Sequence, residues 1–288
     1  MSQIYTNKMI CQVLLEKDGN KMEHNKLLII DPQVDFCDKN GALSVDGAEA
    51  DMQRLAGMIG TIGDEFDSID ITMDSHNIVD IAHPIWWVDP VGESPAPFTI
   101  ITSEDLANFK WVTRDPINQL GAEEYVSALE QNNRYPLCVW PEHCIMGTPG
   151  HNIIPVLNDA LGTWERTKLD VVSRYSKGEN SYTEHYSAVK ADVKIDSDPT
   201  TGKNEALVES LKTATQIFVA GEALSHCVAN TILDLMEYIP AENFVLILDT
   251  MSNVTGFDKL GDDFIEEFKL LGGGTTTTVD LIDVSKNG

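Results

Sequence analysis

The sequence predicts an α/β fold, with a mostly parallel sheet covered by helices on both faces. Two observations carry that prediction. Short apolar runs that end in an acidic or small residue recur along the chain, and stretches with helical spacing lie between most of them. The chain is also long enough: 288 residues, 42% hydrophobic and 23% charged, suit a globular protein with a full core, built as one large domain or two small ones.

The first run, KLLIID (26–31), ends in Asp31, as a buried parallel strand does when it delivers a side chain to the carboxyl edge of a sheet. Helical spacing follows over 48–62, and then comes the run SIDITM (68–73). From about 83 to 135 the rhythm breaks. Prolines and aromatics precede a predicted helix near 119–131, and the segment reads as a large insertion, the kind of excursion that serves as a lid or binding loop. The alternation then resumes with PLCVW (136–140), a helix over 151–162, LDVVSR (169–174), a helix over 204–213 and TQIFVAG (215–221). A helix over 226–238, the run FVLILD (244–249), a helix over 262–270 and a last strand in TTTTVDLI (275–282) complete the chain.

Charge narrows the partners. With 46 Asp plus Glu against 20 Lys plus Arg, the formal net charge is -26. The clustered cations that bind phosphates are missing, so no nucleic acid is expected, and an anionic membrane surface would repel the chain. No apolar run approaches the roughly 20 residues of a membrane span. The N-terminus, MSQIYTNKMICQVLLEKDGNKMEHNK, lacks the basic, apolar and small-residue regions of a signal peptide. Five cysteines (Cys11, Cys37, Cys138, Cys144 and Cys227) are an odd number, so disulfides are not expected and a cytoplasmic location is the default.

In open parallel sheets, chemistry sits outside the carboxyl ends of the strands. Asp31 stands there, followed by Pro32, and is either a base with a raised pKa or the closer of a turn. In MDSHN, Asp74 and His76 are two apart and face the same way on an extended segment, so they can chelate a metal or simply share a hydrogen bond. His143, in WPEHC, is a third candidate ligand, with His83 and His151 as further ones. Lys177, beside Gly178, is a surface charge or part of a site. Cys227 lies where a strand meets a helix; free N–H groups and the helix dipole there would lower a thiol's pKa, whereas a buried Cys is more often a small hydrophobe.

Five separated pieces in this order resemble the nicotinamidase and isochorismatase family of cysteine hydrolases, in its nicotinamidase (pyrazinamidase) branch. DPQVDFCDKNGALSVDGA is similar to the family's Asp-x-Gln-x-Asp-Phe opening, MDSHN to its Asp-x-His, and WPEHCIMGTPG to its Trp-Pro-x-His-Cys. SKGENSYTEHYSAV is similar to the Lys-Gly segment with its Tyr-Ser, and GEALSHCV to the nucleophile turn. The resemblance covers roughly residues 26–283. It implies a single domain over 1–288, a three-layer sandwich with six or more mostly parallel strands. It also implies an amidohydrolase that converts nicotinamide to nicotinate and ammonia through a thioester, a step of pyridine nucleotide (NAD) salvage.

Carried over, the resemblance makes Cys227 the nucleophile, Asp31 the general base and Lys177 the cation beside them. The N–H groups of Ala223 and Cys227 become the oxyanion donors, with a cis peptide bond between Glu222 and Ala223. A divalent metal, zinc with iron or manganese as alternatives, is implied at Asp74, His76 and His143, with His83 as a fourth ligand. Phe36 and Trp140 would flank the pyridine ring of a small-molecule amide; a homo-oligomer remains open.

The sequence departs from the family in two places. The insertion is much longer than the usual loop, and its Trp86, Trp87 and Trp111 either wall the pocket or pack the insertion against the body. Glu222 occupies a position that is commonly apolar in the family. The alternatives are therefore a cysteine amidase for another small amide or carbamoyl compound, or a catalytically silent binding protein on the same fold. An isochorismatase is disfavoured, because that branch generally lacks the Asp, His and His metal set.

Overall fold

The structure, a computed structural model, describes residues 24–132 and 135–287. The reading of the N-terminal stretch, Cys11 included, lies outside the described residues. In chain order the strands are β1 (Asn25–Ile30), β2 (Ser68–Asp74), β3 (Trp87–Val88), β4 (Ile100–Ile101), β5 (Val112–Thr113) and β6 (Leu137–Cys138). They continue with β7 (Ser173–Lys177), β8 (Gln216–Gly221), β9 (Phe244–Ile247) and β10 (Gly274–Thr276). Six of them form one sheet in the order β10-β9-β8-β1-β2-β7, and every pair is parallel.

Alternation along the strands builds two cores. Leu27 and Ile29 of β1, with Ile69 and Ile71 of β2, point to one face. There they pack with Leu55 and Ile59 of the helix Ala48–Ile62 and Leu157 and Leu161 of the helix Pro155–Lys168. Leu28 and Ile30, with Ile217 and Val219 of β8, point to the other face. They meet Leu207 and Leu211 of Glu205–Lys212, Ile232 of Ala229–Leu235 and Phe264 and Phe268 of Asp258–Leu270. The result is three layers. From β1 the chain steps outward through β2 to β7, then returns to lay β8 on the opposite side of β1 and continues to β9 and β10. The strand order therefore reverses between β1 and β8, where an open α/β sheet has its crevice.

Three strand expectations need correction. Leu137–Cys138 is buried but outside the main sheet, pairing antiparallel with β4. Pro136 and Pro141 bracket the run and remove the N–H donors a central strand needs. The strand expected at 169–174 begins only at Ser173, because the preceding helix runs to Lys168; Leu169 and Val171 lie exposed at 89% and 71%. Strand β10 stops at Thr276, and Thr278–Asn287 is a helix. Thr277 accepts the N–H of Asp280 (3.2 Å) and donates its hydroxyl to Asp280 (2.9 Å), a helix-start pairing hidden in a run of β-branched residues.

The 83–135 segment forms the β3–β5 pair, strand β4, and the helices Ser103–Ala107 and Gln119–Asn132. Its tryptophans pack. Trp87 is fully buried and donates Nε1–H to the carbonyl of Ile81 (2.7 Å), Trp86 is buried edge-on to Tyr182, and Trp111 leans on the core from a half-buried position. No helix among the described residues is long and apolar enough to cross a membrane. Because Trp87 anchors the segment, Trp87→Ala is expected to destabilise the protein by about 3–5 kcal/mol. Urea unfolding followed by circular dichroism checks this.

Candidate active site

Asp31, the first residue beyond β1, is fully buried and adopts φ 43°, a left-handed conformation that only strong local contacts hold in a non-glycine residue. Thr72 of β2 supplies them: its carbonyl and hydroxyl accept the Asp31 N–H (3.2 and 3.1 Å), and its hydroxyl donates to Asp31 Oδ1 (2.5 Å). Beyond β8, Gly221 adopts φ 116°, and a Cβ there would lie 2.0 Å from the Ile30 carbonyl oxygen. Only glycine allows β8 to press against β1 at that point. The peptide bond Glu222–Ala223 that follows is cis. Leu224–Val228 is a single π-helical turn that leads into the α-helix Ala229–Leu235 and carries Cys227.

Lys177, the last residue of β7, joins these ends. Its buried Nζ lies 3.1 Å from Asp31 Oδ2, 2.9 Å from Asp74 Oδ1, 3.6 Å from Cys227 Sγ and 2.8 Å from the His185 carbonyl oxygen. Burial works against its charge, but Asp31 and Asp74 outweigh it and raise the ammonium's pKa well above the usual value. Gly178 follows at φ 83°, where a Cβ would come within 3.0 Å of Asp74 Oδ1.

The titration of the thiol differs from the expectation drawn from its helix position. Burial raises the Cys227 pKa well above the usual thiol value; Lys177 opposes this and Asp31 adds to it. Desolvation is the largest influence on the sulfur and favours the protonated thiol. The Asp31 carboxyl is raised as well, by burial against the pull of Lys177. Two groups of raised pKa side by side can pass a proton between them.

Asp74, His76 and His143 offer donor atoms that all lie within 4.8 Å of one another, and all three residues are buried. His76 Nε2 and His143 Nε2 are 3.1 and 3.5 Å from Asp74 Oδ2. Their Nδ1 atoms are taken by other groups: Asp80 Oδ2 lies 3.3 Å from that of His76, and the Pro141 carbonyl 2.8 Å from that of His143. His83 repeats the pattern. Its Nδ1 faces the Ile78 carbonyl (3.2 Å), its Nε2 is buried without a partner, and its ring centroid is 5.2 Å from that of His76 and 5.6 Å from that of His143. Anchoring Nδ1 turns Nε2 inward as a ligand, the usual outer-shell device of histidine metal sites. Burial disfavours the imidazolium of His76, yet Asp74 and Asp80 raise its pKa well above normal. His83, buried beside two other imidazoles, is lowered to about 4. A carboxylate with two or three imidazoles, which give up their Nε2 protons on ligating a metal, fits zinc or iron.

Phe36, Trp140, His143, Lys177, Ala223 and Cys227 line one cavity, so the sulfur, the cation, a histidine of the cluster and both predicted aromatic residues face a common space.

The comparisons place this architecture. No protein-family model matches the chain, and no curated protein matches it. Solved structures do. The yeast nicotinamidase is 17% identical with a TM-score of 0.61, covering 88% of this chain and 99% of its own. A pyrazinamidase of Pyrococcus horikoshii in complex with zinc is 18% identical with a TM-score of 0.53 (88% and 99% covered), and L. infantum PnC1 in complex with nicotinate is 20% identical with a TM-score of 0.57 (89% and 94%).

The fold is that of the nicotinamidases.

On this nicotinamidase fold the predicted site residues Asp31, Lys177, Cys227, Asp74, His76 and His143 converge, and His83 joins from the start of the long segment. His151 does not, because its Nε2 is 2.8 Å from Ser75 Oγ. Sequence reasoning missed the supporting residues. Gln33 clamps Asp74, donating Nε2–H to its carbonyl (2.7 Å) and accepting its N–H (2.7 Å). Glu184 is buried with Oε1 3.9 Å from His76 Nε2, and burial raises its pKa. Tyr135 donates its hydroxyl to the Ser225 carbonyl (3.0 Å) and stacks on His226 at 5.1 Å. For Asp80 the signal was its spacing of four from His76, and for Gln33 its place in the Asp-x-Gln-x-Asp-Phe piece; Glu184 and Tyr135 carried none.

A thiol with a raised pKa gains thiolate about tenfold per pH unit until the pKa is reached. Alkylation of Cys227 by iodoacetamide, followed by mass spectrometry, is therefore expected to accelerate continuously from about pH 6 to about pH 9. A rate that levels off below pH 7 would mean a stabilised thiolate instead.

Proposed function

We propose that the protein is a cysteine amidohydrolase that converts nicotinamide to nicotinate and ammonia. The observation that carries this reading is Lys177 Nζ within 3.1 Å of Asp31, 2.9 Å of Asp74 and 3.6 Å of Cys227 Sγ, which joins a nucleophile, a base and a metal-type cluster through one ammonium group. The fold shared with nicotinamidases adds to it.

The chemistry follows from the protonation states. Asp31 accepts the thiol proton of Cys227 as the sulfur attacks the carboxamide carbon, so no free thiolate needs to persist. Lys177 stays charged throughout and offsets the negative charge that moves between sulfur and carboxylate. The Ala223 and Cys227 N–H groups donate to the oxyanion of the tetrahedral intermediate, worth about 3 kcal/mol per donor in well-characterised hydrolases. Asp31 then passes its proton to the departing nitrogen, ammonia leaves, and a thioester remains. Asp31 next deprotonates a water that attacks the thioester, and nicotinate is released with the thiol restored. Phe36 and Trp140 offer aromatic faces and edges for a planar ring.

Asp74, His76 and His143, with His83, would hold a divalent metal. Bound there, the metal supplies a Lewis-acid anchor for the pyridine nitrogen. The His83 assignment belongs to this proposal, as do zinc as the metal, a place in pyridine nucleotide salvage, and a cytoplasmic location.

Ammonia release from nicotinamide tests the reading. Cys227→Ala is expected to lower kcat by about 10⁴-fold or more, since it removes the attacking atom; full ammonia release by this variant would sink the proposal. Exhaustive dialysis against a chelator is expected to reduce kcat/KM by about tenfold or more, with recovery on adding zinc, iron or manganese. Metal content measured on the same samples should track the activity.

A further inference from the structure

Glu222 departs from the apolar side chain the resemblance leads one to expect, and the hydrolysis scheme leaves it without a role. It is fully buried. Its N–H donates to the Ile30 carbonyl (2.8 Å), and its side-chain Oε2 accepts the N–H of Ser252 (3.0 Å). Ser252 reciprocates, its carbonyl accepting the N–H of Leu224 (2.8 Å) on the far side of Ala223. The Ser252 hydroxyl donates to Asp51 Oδ2 (2.5 Å). Asp51 is itself paired with Arg54, whose Nε donates to the Asp249 carbonyl (2.6 Å). The residue immediately before the expected oxyanion donor is therefore tied to two other elements, the 249–252 loop and the helix Ala48–Ile62.

We propose that Glu222 is a positioning residue for the oxyanion turn: its hydrogen bond to Ser252 fixes the direction of the Ala223 and Cys227 N–H groups. This rests on the amidohydrolase reading above. A negative charge under an oxyanion site would oppose catalysis, and the surroundings prevent one. Burial, and then Asp51, raise the Glu222 pKa well above the usual carboxylate value, with Arg54 opposing only weakly. In the protonated form Glu222 still keeps Oε2 as an acceptor for the Ser252 N–H. An apolar residue fills the same space without the tether.

The test compares wild type, Glu222→Gln and Glu222→Leu by nicotinamide kinetics and by hydrogen exchange of the 221–228 backbone. The neutral amide is expected to keep kcat within about threefold of wild type. Leucine is expected to lower kcat about 10- to 100-fold with KM within about twofold, because donors moved out of line weaken transition-state binding more than ground-state binding. The leucine variant should also exchange over 221–228 about tenfold faster. If it does not fold, Asp51→Ala cuts the same chain of bonds from outside the turn, and the same loss of kcat and faster exchange are expected. Wild-type kcat and exchange in the leucine variant, an equal loss in both Glu222 variants, or a loss carried entirely by KM would each overturn the proposal. A wild type inactive on nicotinamide but whose exchange quickens only with leucine would overturn the substrate assignment and leave the positioning role standing.

Discussion

One buried ammonium group holds this site together. Lys177 Nζ is shared between Asp31 and Asp74, beside the sulfur of Cys227, so it links the three strand ends that carry Asp31, Asp74 and Lys177. Taking such ions out of water costs several kcal/mol each, and mutual attraction offsets that only when the geometry is good. Here the ammonium has three oxygen atoms within about hydrogen-bond distance, and each carboxylate has at least one further contact, the Thr72 hydroxyl for Asp31 and His76 Nε2 for Asp74. Removing one member would strand the other charges in a dry interior. The arrangement therefore constrains neighbouring residues more than its area suggests: Gly178 must be glycine because a Cβ would press on Asp74.

The sheet makes this convergence available. Parallel strands align all their carboxyl ends on one edge, and the reversal of strand order between β1 and β8 leaves a crevice there. Strands β2 and β7 bring the cluster and the cation from one side, and the turn after β8 brings Cys227 from the other. The long 83–135 segment touches the arrangement at its two ends, through His83 beside His76 and His143 and through Tyr135. Its tryptophans face inward to packing and not to the cavity, while Tyr135, at its end, reaches the Ser225 carbonyl two residues before Cys227.

Much of this was legible before any coordinates, and the exceptions have physical causes. Central strands announced themselves because burial on both faces demands unbroken apolar runs, as in KLLIID and FVLILD. The edge strand β7 did not, because it needs only one neighbour and alternates half-buried with exposed positions until Lys177. The last helix was hidden by four threonines, whose β-branching favours a strand unless the pairing of Thr277 with Asp280 is noticed. The site followed the same division. Asp31, Asp74, His76, His143, Lys177 and Cys227 stood at strand ends and were visible in order along the chain. Gln33, Thr72 and Glu184 act only through neighbours distant in sequence, and the protonated state of Cys227 depends on burial that no local motif encodes.

Asp74 belongs to two circuits at once. One oxygen faces Lys177 and the other faces the Nε2 atoms of His76 and His143. The histidine cluster and the Lys177–Cys227 group are thus not separable modules, and their energetic contributions will not sum. A substitution at Asp74 perturbs the charge balance of Lys177 as well as the donor set, so the interaction energy between the two halves, and not either single loss, measures what the carboxylate contributes. Any lineage that rebuilt the histidine cluster for another ion would have to solve the charge balance around Lys177 in the same step, which ties the evolution of one chemistry to the other.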